Sequence, residues 1–398
     1  MNGKRVLLAA MAAAWTLSIA ESAHAQSCGT GDFPGWLRGV RQEAAASGLS
    51  ERALGALDTV RFDPAIVKRD RGQGVFAQSF LEFSDRMVAQ YRLQQGAKLM
   101  KQHASLFAAV ERQYGVPAAV ITAFWGLETD FGAVQGDVST LNSLATLAYD
   151  CRRPEVFRPE LIDALRIIDR GDLSAKEMVG AWAGEIGQMQ FTPSNYVRYA
   201  VDADGDGRRD LRRSVPDVLA STANLMRSEG WRAGEPWLQE VRVPAELPWQ
   251  EADLSIQHPR AQWAAWGVAA AQGALPQDGL PASLILPMGR NGPAFLAYPN
   301  FRVFLQWNQS LVYATTAAYY ATRLAGAPAV GRGRGPEALG TAEVKQLQQM
   351  LARRGYDVGK IDGVIGSGTR AAVKDVQLRL GLPADAWPTA ELLRRLGG

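Results

Sequence analysis

Glu128 stands in the run Phe124-Trp125-Gly126-Leu127-Glu128-Thr129-Asp130-Phe131-Gly132, a carboxylate inside an otherwise apolar, aromatic stretch. Ile121 and Trp125 lie seven and three residues before it. On a helix opened by Val116-Pro117 and stopped by Gly132, its carboxyl therefore shares their stripe. Desolvation there raises the pKa and keeps the carboxyl protonated near neutral pH, the state a general acid needs. Position alone equally allows an ordinary helix-end glutamate that faces solvent or pairs with an arginine.

A second run, Gly184-Glu185-Ile186-Gly187-Gln188-Met189-Gln190-Phe191-Thr192-Pro193-Ser194-Asn195-Tyr196, sets amide and hydroxyl groups beside glycines. Such glycines let a sugar ring approach the backbone, and Gln188, Gln190, Ser194, Asn195 and Tyr196 supply hydrogen bonds for its hydroxyls. Glycosidases ordinarily use two carboxylates. Asp130, two residues from Glu128, points to another helix face, and spacing alone does not select Glu185.

The elements that must hold these groups are mostly helical. Apolar residues recur at threes and fours over Phe33 to Ser47, Leu93 to Tyr114, Pro159 to Arg170, Val215 to Glu229 and Tyr313 to Leu324. Val241-Arg242-Val243-Pro244 and Ser283-Leu284-Ile285-Leu286-Pro287 read instead as short strands, and with Trp263 and Trp266 they predict a small β-containing subdomain. Residues 326–338 are dense in Gly, Pro and Arg and read as a flexible linker. Beyond it Val344, Leu347 and Leu351 share a face, and Val373, Val376 and Leu380 restart the periodicity, predicting a compact three-helix module over 339–398 without a catalytic constellation.

The chain has 398 residues, 47% of them hydrophobic, enough for two or three folded domains. Its net charge of +3, with both signs interleaved, excludes the footprint of a nucleic-acid binder. Residues 1–25 read as a secretory signal: Lys4 and Arg5, an apolar Val6 to Ile19, then Ala23-His24-Ala25 as the cleavage site. The apolar run is shorter than the roughly 20 residues of a spanning helix, so no stable membrane anchor is expected. Ala25-Gln26-Ser27 before Cys28 lacks the residues of a lipobox. Export would carry the only two cysteines, Cys28 and Cys151, into an oxidising compartment where they can form one disulfide or remain two thiols.

FWGLETDFG, AGEIGQMQFTPSNY, DADGDGRRDL and YPNFRVFLQWNQSLVYA (Tyr298 to Ala314) occur in the order of the motifs of the lytic murein transglycosylase B family, which the chain resembles from Phe33 to Leu324. The resemblance implies a mainly α, lysozyme-like catalytic domain over 26–325, with Glu128 as sole acid and base. It implies protonation of the oxygen linking MurNAc to GlcNAc, then attack of the MurNAc C6 hydroxyl on C1 to give 1,6-anhydromuramic acid. A nucleophile supplied by the sugar removes the need for a second carboxylate. By matching position Gln190 binds substrate, while Asn308 and Tyr313 hydrogen-bond the sugar or orient Glu128. Ala181 departs from the pattern, standing where serine is frequent.

Asp202, Asp204, Asp206 and Asp210 fall at positions one, three, five and nine of an EF-hand-like loop, a candidate structural calcium site. Position twelve is Arg213, and Arg208, Arg209 and Arg212 add positive charge, so a solvated Asp/Gly turn is the competing reading. No other cofactor is expected. Ile361 to Val373 resembles the common three-helix peptidoglycan-binding domain, with Val376 where phenylalanine is frequent, Ala386 where glycine is frequent, and Trp387 read as a packing residue.

The expected protein is a periplasmic lytic transglycosylase tethered to its wall polymer, the peptidoglycan glycan strand. A muramidase using water on the same bond, and a non-catalytic wall-binding scaffold, are the two rivals.

Overall fold

The computed structural model describes residues 31–72, 78–334 and 338–397. The expected signal segment and Cys28 lie outside the described residues, and with Cys28 the expected pairing to Cys151. No helix among the described residues is long and apolar enough to cross a membrane.

The helix Ala118–Thr129 forms the centre of the molecule. Ten of its twelve residues are buried, including Val120, Ile121, Phe124, Trp125 and Leu127, so it is apolar on every side and other helices enclose it. Leu311–Leu324, Gln90–Gln102 and Ala104–Tyr114 pack around it. The periodic stretch from Leu93 to Tyr114, one element by its pattern, breaks at His103. The break lets its first half lie on the central helix and on Leu311–Leu324, while the second turns to Val215–Ser228. The helix expected from Pro159 begins earlier, at Pro154, because Pro154 takes the first-turn position that suits proline.

The β subdomain is a five-stranded antiparallel sheet in the order His258–Pro259, Pro281–Ile285, Ala294–Ala297, Leu238–Arg242, Ala269–Ala270. It has its own core of Trp263, Leu284, Leu296 and Tyr298, and the Trp263 indole N–H donates to Ala282 O at 2.8 Å.

The carboxy-terminal module consists of the helices Thr341–Arg353, Ser367–Arg379 and Ala390–Gly397 around Leu347, Leu351, Val373 and Leu392. It is docked on the β subdomain. Arg370 donates to the carbonyls of Leu286 (2.7 Å) and Pro287 (3.4 Å), Lys374 Nζ pairs with Asp253 at 2.7 Å, and Arg290 N donates to Asp385 at 3.0 Å. Burial pulls the Arg370 guanidinium down to about 10. Trp387 packs against Gly289, where a Cβ would lie 2.6 Å from it.

The stretch read as a flexible linker is also held. Val330 N, Gly331 N and Arg334 N donate to Tyr319 Oη, Glu240 and Asn291 O, and Arg332 pairs with Asp85 at 3.0 Å. A segment too poor in apolar side chains to build a core still carries backbone N–H groups, and here elements earlier in the chain supply their acceptors.

Candidate active site

The acid helix ends abruptly. Asp130 (φ 49°), Phe131 (φ 61°) and Gly132 (φ 86°) are three successive left-handed residues, and Phe131 N returns to Trp125 O at 3.0 Å. Two of them are not glycine, so the turn carries strain that its contacts must offset. The Phe131 ring folds back over Gly126, where a Cβ would come within 2.9 Å of it. Arg92 fixes the corner through Asp130 at 2.6 Å. Asp130 is thereby committed to a structural ion pair.

Glu128 sits one step before this corner, half-buried. Two donors converge on one of its oxygens: Tyr313 Oη and, at 2.9 Å, Trp307 Nε1, both on Oε1. The two donors come from either side of a tight link between Phe301–Trp307 and Leu311–Leu324. Asn308 Oδ1 accepts from Ser310 N at 2.9 Å, and Ser310 Oγ caps the next helix at Tyr313 N. This local chemistry aims both rings at the acid. Trp307 is further fixed by Phe124 at 4.4 Å and Phe191 at 5.9 Å.

Burial raises the Glu128 pKa above the usual carboxyl range; the bonds from Tyr313 and Trp307 pull it back, and the charge of Glu185 pushes it up again. Burial also raises Glu185. Tyr313 is raised well above its ordinary value, first by burial and then by Glu128, so it stays a neutral donor. No arginine or lysine bonds the Glu128 carboxyl among the described residues.

The glycine-rich run folds into a compact turn bridged at Gly180, Ile186 and Phe191. Its polar residues divide. Gln190, itself left-handed (φ 51°), donates to Gly187 O at 2.9 Å and lines a cavity of about 120 Å³ together with Thr192, Asn195, Gln306 and Trp307. Gln188, Ser194 and Tyr196, which the sequence offered to a sugar, turn inward. Gln188 binds Trp125 and Arg212 O, Ser194 binds Glu160, and Tyr196 is fully buried with its hydroxyl on Arg209 O. Gln188 lies under the turn beside Gly187, whereas Ser194 and Tyr196 are placed by the helix Pro193–Tyr199. Trp307 is the group that sequence reasoning missed: an aromatic in an apolar run reads as core. Its place beside Asn308, in the short link between two helices, was the available signal.

A larger open depression of about 490 Å³, lined by Arg52, Ile168, Ser174, Glu177 and Arg208 among others, shares no residue with the surroundings of Glu128. Its guanidiniums are occupied by Asp169 O and Asp172 O.

In the aspartate loop, Asp202 and Asp204 come together with Asp217, their oxygens within 4.8 Å of one another. Asp206 and Asp210 lie outside that cluster and accept from Arg208 N and from Arg212 N and Arg213 N, while Asp202, Asp204 and Asp217 also accept backbone bonds, from Gly205 N, Asp206 N and Ala203 N among others. The four arginines turn away, onto Asp172 and Glu177. Three clustered carboxylates without a cationic partner among the described residues fit a hard divalent cation. Asp217 lies past the twelve-residue loop, where the sequence motif does not look.

Residues 32–322 match the Transglycosylase SLT domain family. The chain belongs to it. Residues 340–396 match the peptidoglycan binding domain family. Over 242 residues the chain is 30% identical to membrane-bound lytic murein transglycosylase B of Escherichia coli K12, covering 59% of this chain and 64% of that relative's length. Among solved structures, SltB3 of Pseudomonas aeruginosa, in complex with NAG-anhNAM-pentapeptide, superposes with a TM-score of 0.85 at 40% identity, covering 92% of this chain and 99% of that one. Lytic transglycosylase Slt35 of Escherichia coli, in complex with calcium, superposes with a TM-score of 0.62 at 26% identity, covering 73% and 92%. The mainly α fold of residues 32–322 is thus that of the SLT family, and the helical carboxy-terminal module that of the peptidoglycan binding family.

Proposed function

We propose that this protein is a lytic transglycosylase that cleaves the β-1,4 bond between MurNAc and GlcNAc in peptidoglycan and leaves a 1,6-anhydromuramic acid end. The observation that carries this reading is the setting of Glu128: a half-buried carboxyl with raised pKa, held by two neutral donors and no base. Neutral Glu128 gives its proton to the glycosidic oxygen as the C1–O bond breaks. The C6 hydroxyl then bonds to C1, and its proton passes to the Glu128 carboxylate. No water is consumed, and the acid ends as it began. Gln190 Oε1 and Asn308 Nδ2, without a hydrogen bond among the described residues, are left for sugar hydroxyls and amides, and Tyr313 orients the acid.

The proposed organisation is a signal over 1–25, a catalytic domain over 26–325, a connecting segment over 326–338 and a wall-binding module over 339–398, working in the periplasm on glycan strands. Asp202, Asp204 and Asp217 would hold a structural calcium ion outside the chemistry; no organic cofactor enters.

Digestion of purified sacculi followed by mass spectrometry tests the reading. Anhydro ends are expected, and Glu128→Gln should reduce their formation by at least about 10²–10⁴-fold. Products one water heavier, with reducing MurNAc ends, would replace the reading with a muramidase. One observation favours that second reading: Glu185, a second carboxyl with raised pKa, acts on Glu128 through its charge.

A further inference from the structure

Tyr313 and Trp307 both reach Oε1 of Glu128, and no hydrogen bond within the described residues reaches Oε2. The two donors differ. A tyrosine hydroxyl can rotate to donate or accept, but an indole N–H can only donate. Oε1, which accepts from the Trp307 N–H at 2.9 Å, is therefore favoured as the carbonyl oxygen of the neutral acid, the better acceptor of the two carboxyl oxygens. The proton of the acid is left to Oε2.

We propose that Trp307 is a positioning residue that restricts Glu128 to one tautomer, so that a single oxygen, Oε2, both delivers the proton to the glycosidic oxygen and later takes the proton of the C6 hydroxyl. This rests on the reading of Glu128 as the acid and goes beyond it by assigning the reacting atom. The bond balance is closed: Oε2–H breaks as the leaving oxygen gains its proton, and Oε2–H re-forms as C6–O bonds to C1. Oε1 accepts from the same two donors throughout. Their bonds strengthen when the carboxylate charge appears between the two transfers. Leaving oxygen and attacking hydroxyl must then approach the same edge of the carboxylate in turn.

The groups facing Glu128 are few. Glu185 acts on it from the glycine-rich turn, and Tyr313 and Trp307 from the helix link. On its own helix, Asp130 is paired with Arg92 of Gln90–Gln102, and His103 faces Trp125 at 6.4 Å from the start of Ala104–Tyr114.

Trp307→Phe keeps a ring against Phe124 and removes the donor. With only the rotatable Tyr313 left, the proton can occupy either oxygen. We expect kcat on sacculi to fall roughly ten- to a hundredfold, the loss of one bond to a charged group, with KM within about twofold. Removing a bond that lowers the Glu128 pKa must raise that pKa, so the high-pH limb of kcat/KM moves upward.

A readout independent of turnover is the infrared carbonyl band of neutral Glu128, identified by its absence in Glu128→Gln; it should move to higher frequency in Trp307→Phe. In the unsubstituted protein, the Trp307 indole proton resonance should shift as Glu128 titrates, so the idea stays testable if the variant folds poorly. An unmoved band together with an unmoved limb, or an indole resonance indifferent to pH, would overturn the proposal. A protein without turnover on sacculi but with these spectra would overturn the functional reading and leave the tautomer assignment standing.

Discussion

The Trp125 indole N–H donates to Gln188 Oε1 at 2.8 Å, joining the acid helix to the glycine-rich turn, and Thr129 Oγ1 adds a second link to Gln188 O at 2.6 Å. Gln188 Nε2 continues to Arg212 O at 3.0 Å, which brings the aspartate loop into the same network. The acid, the turn and the loop are therefore positioned by one buried amide.

Gln188→Ala should cost about 1–3 kcal/mol, because it leaves the buried Trp125 N–H without its partner and the Arg212 carbonyl with only Gln135. Urea unfolding of the variant checks the magnitude. Unchanged stability would show that neighbouring side chains or water refill the site.

Glu185→Gln removes a negative charge that raises the Glu128 pKa. The Glu128 pKa then falls, and the limb of kcat/KM at high pH moves to lower pH, opposite to the shift expected for Trp307→Phe. A pH–rate profile of the variant reads this directly. Complete loss of activity, with reducing ends formed by the parent, would assign Glu185 the water-activating role of a muramidase instead.

Calcium should raise the thermal midpoint of the protein, and a chelator should reverse the rise. Asp217→Asn should abolish that response, whereas Asp206→Asn should leave it. Equal responses in the two variants would remove Asp217 from the ligand set.

Arg370→Met leaves the Pro287 carbonyl without its partner and the Leu286 carbonyl with only the Gly289 N–H, at a cost of about 1–3 kcal/mol. The module should loosen, and trypsin should cut after Arg332 or Arg334 faster than in the parent. Identical digestion of parent and variant would mean that Arg370 does not hold the interface.

Much of the site is legible in the residue types and their order. Glu128 declares itself because a carboxylate in an apolar run is chemically costly, and Tyr313 follows from the motif it sits in. Trp307 and Glu128 lie 179 residues apart, and nothing in either segment states that they meet. Gln188 is buried and Gln190, two positions on, reaches the cavity; the difference depends on the left-handed backbone at Gly187 and Gln190 rather than on residue type. Asp217 escapes because its helix, not its loop spacing, brings it to Asp202 and Asp204. The sheet and the helices are legible in periodicity; the held linker is not, since its partners are acceptors on distant elements.

A catalytic domain on a loose tether gains effective concentration and loses direction, because every added residue of slack multiplies the orientations it samples. With residues 330–334 fastened and Arg370 sunk between two carbonyls, both units form a gauge whose span is set by these contacts as well as by the connection. On the proposed function, such a gauge would meet its polymer at two points whose separation and angle are set in advance. Lengthening the connection would leave its reach little changed while those contacts hold, and the spacing of cuts along a strand becomes a question of shape.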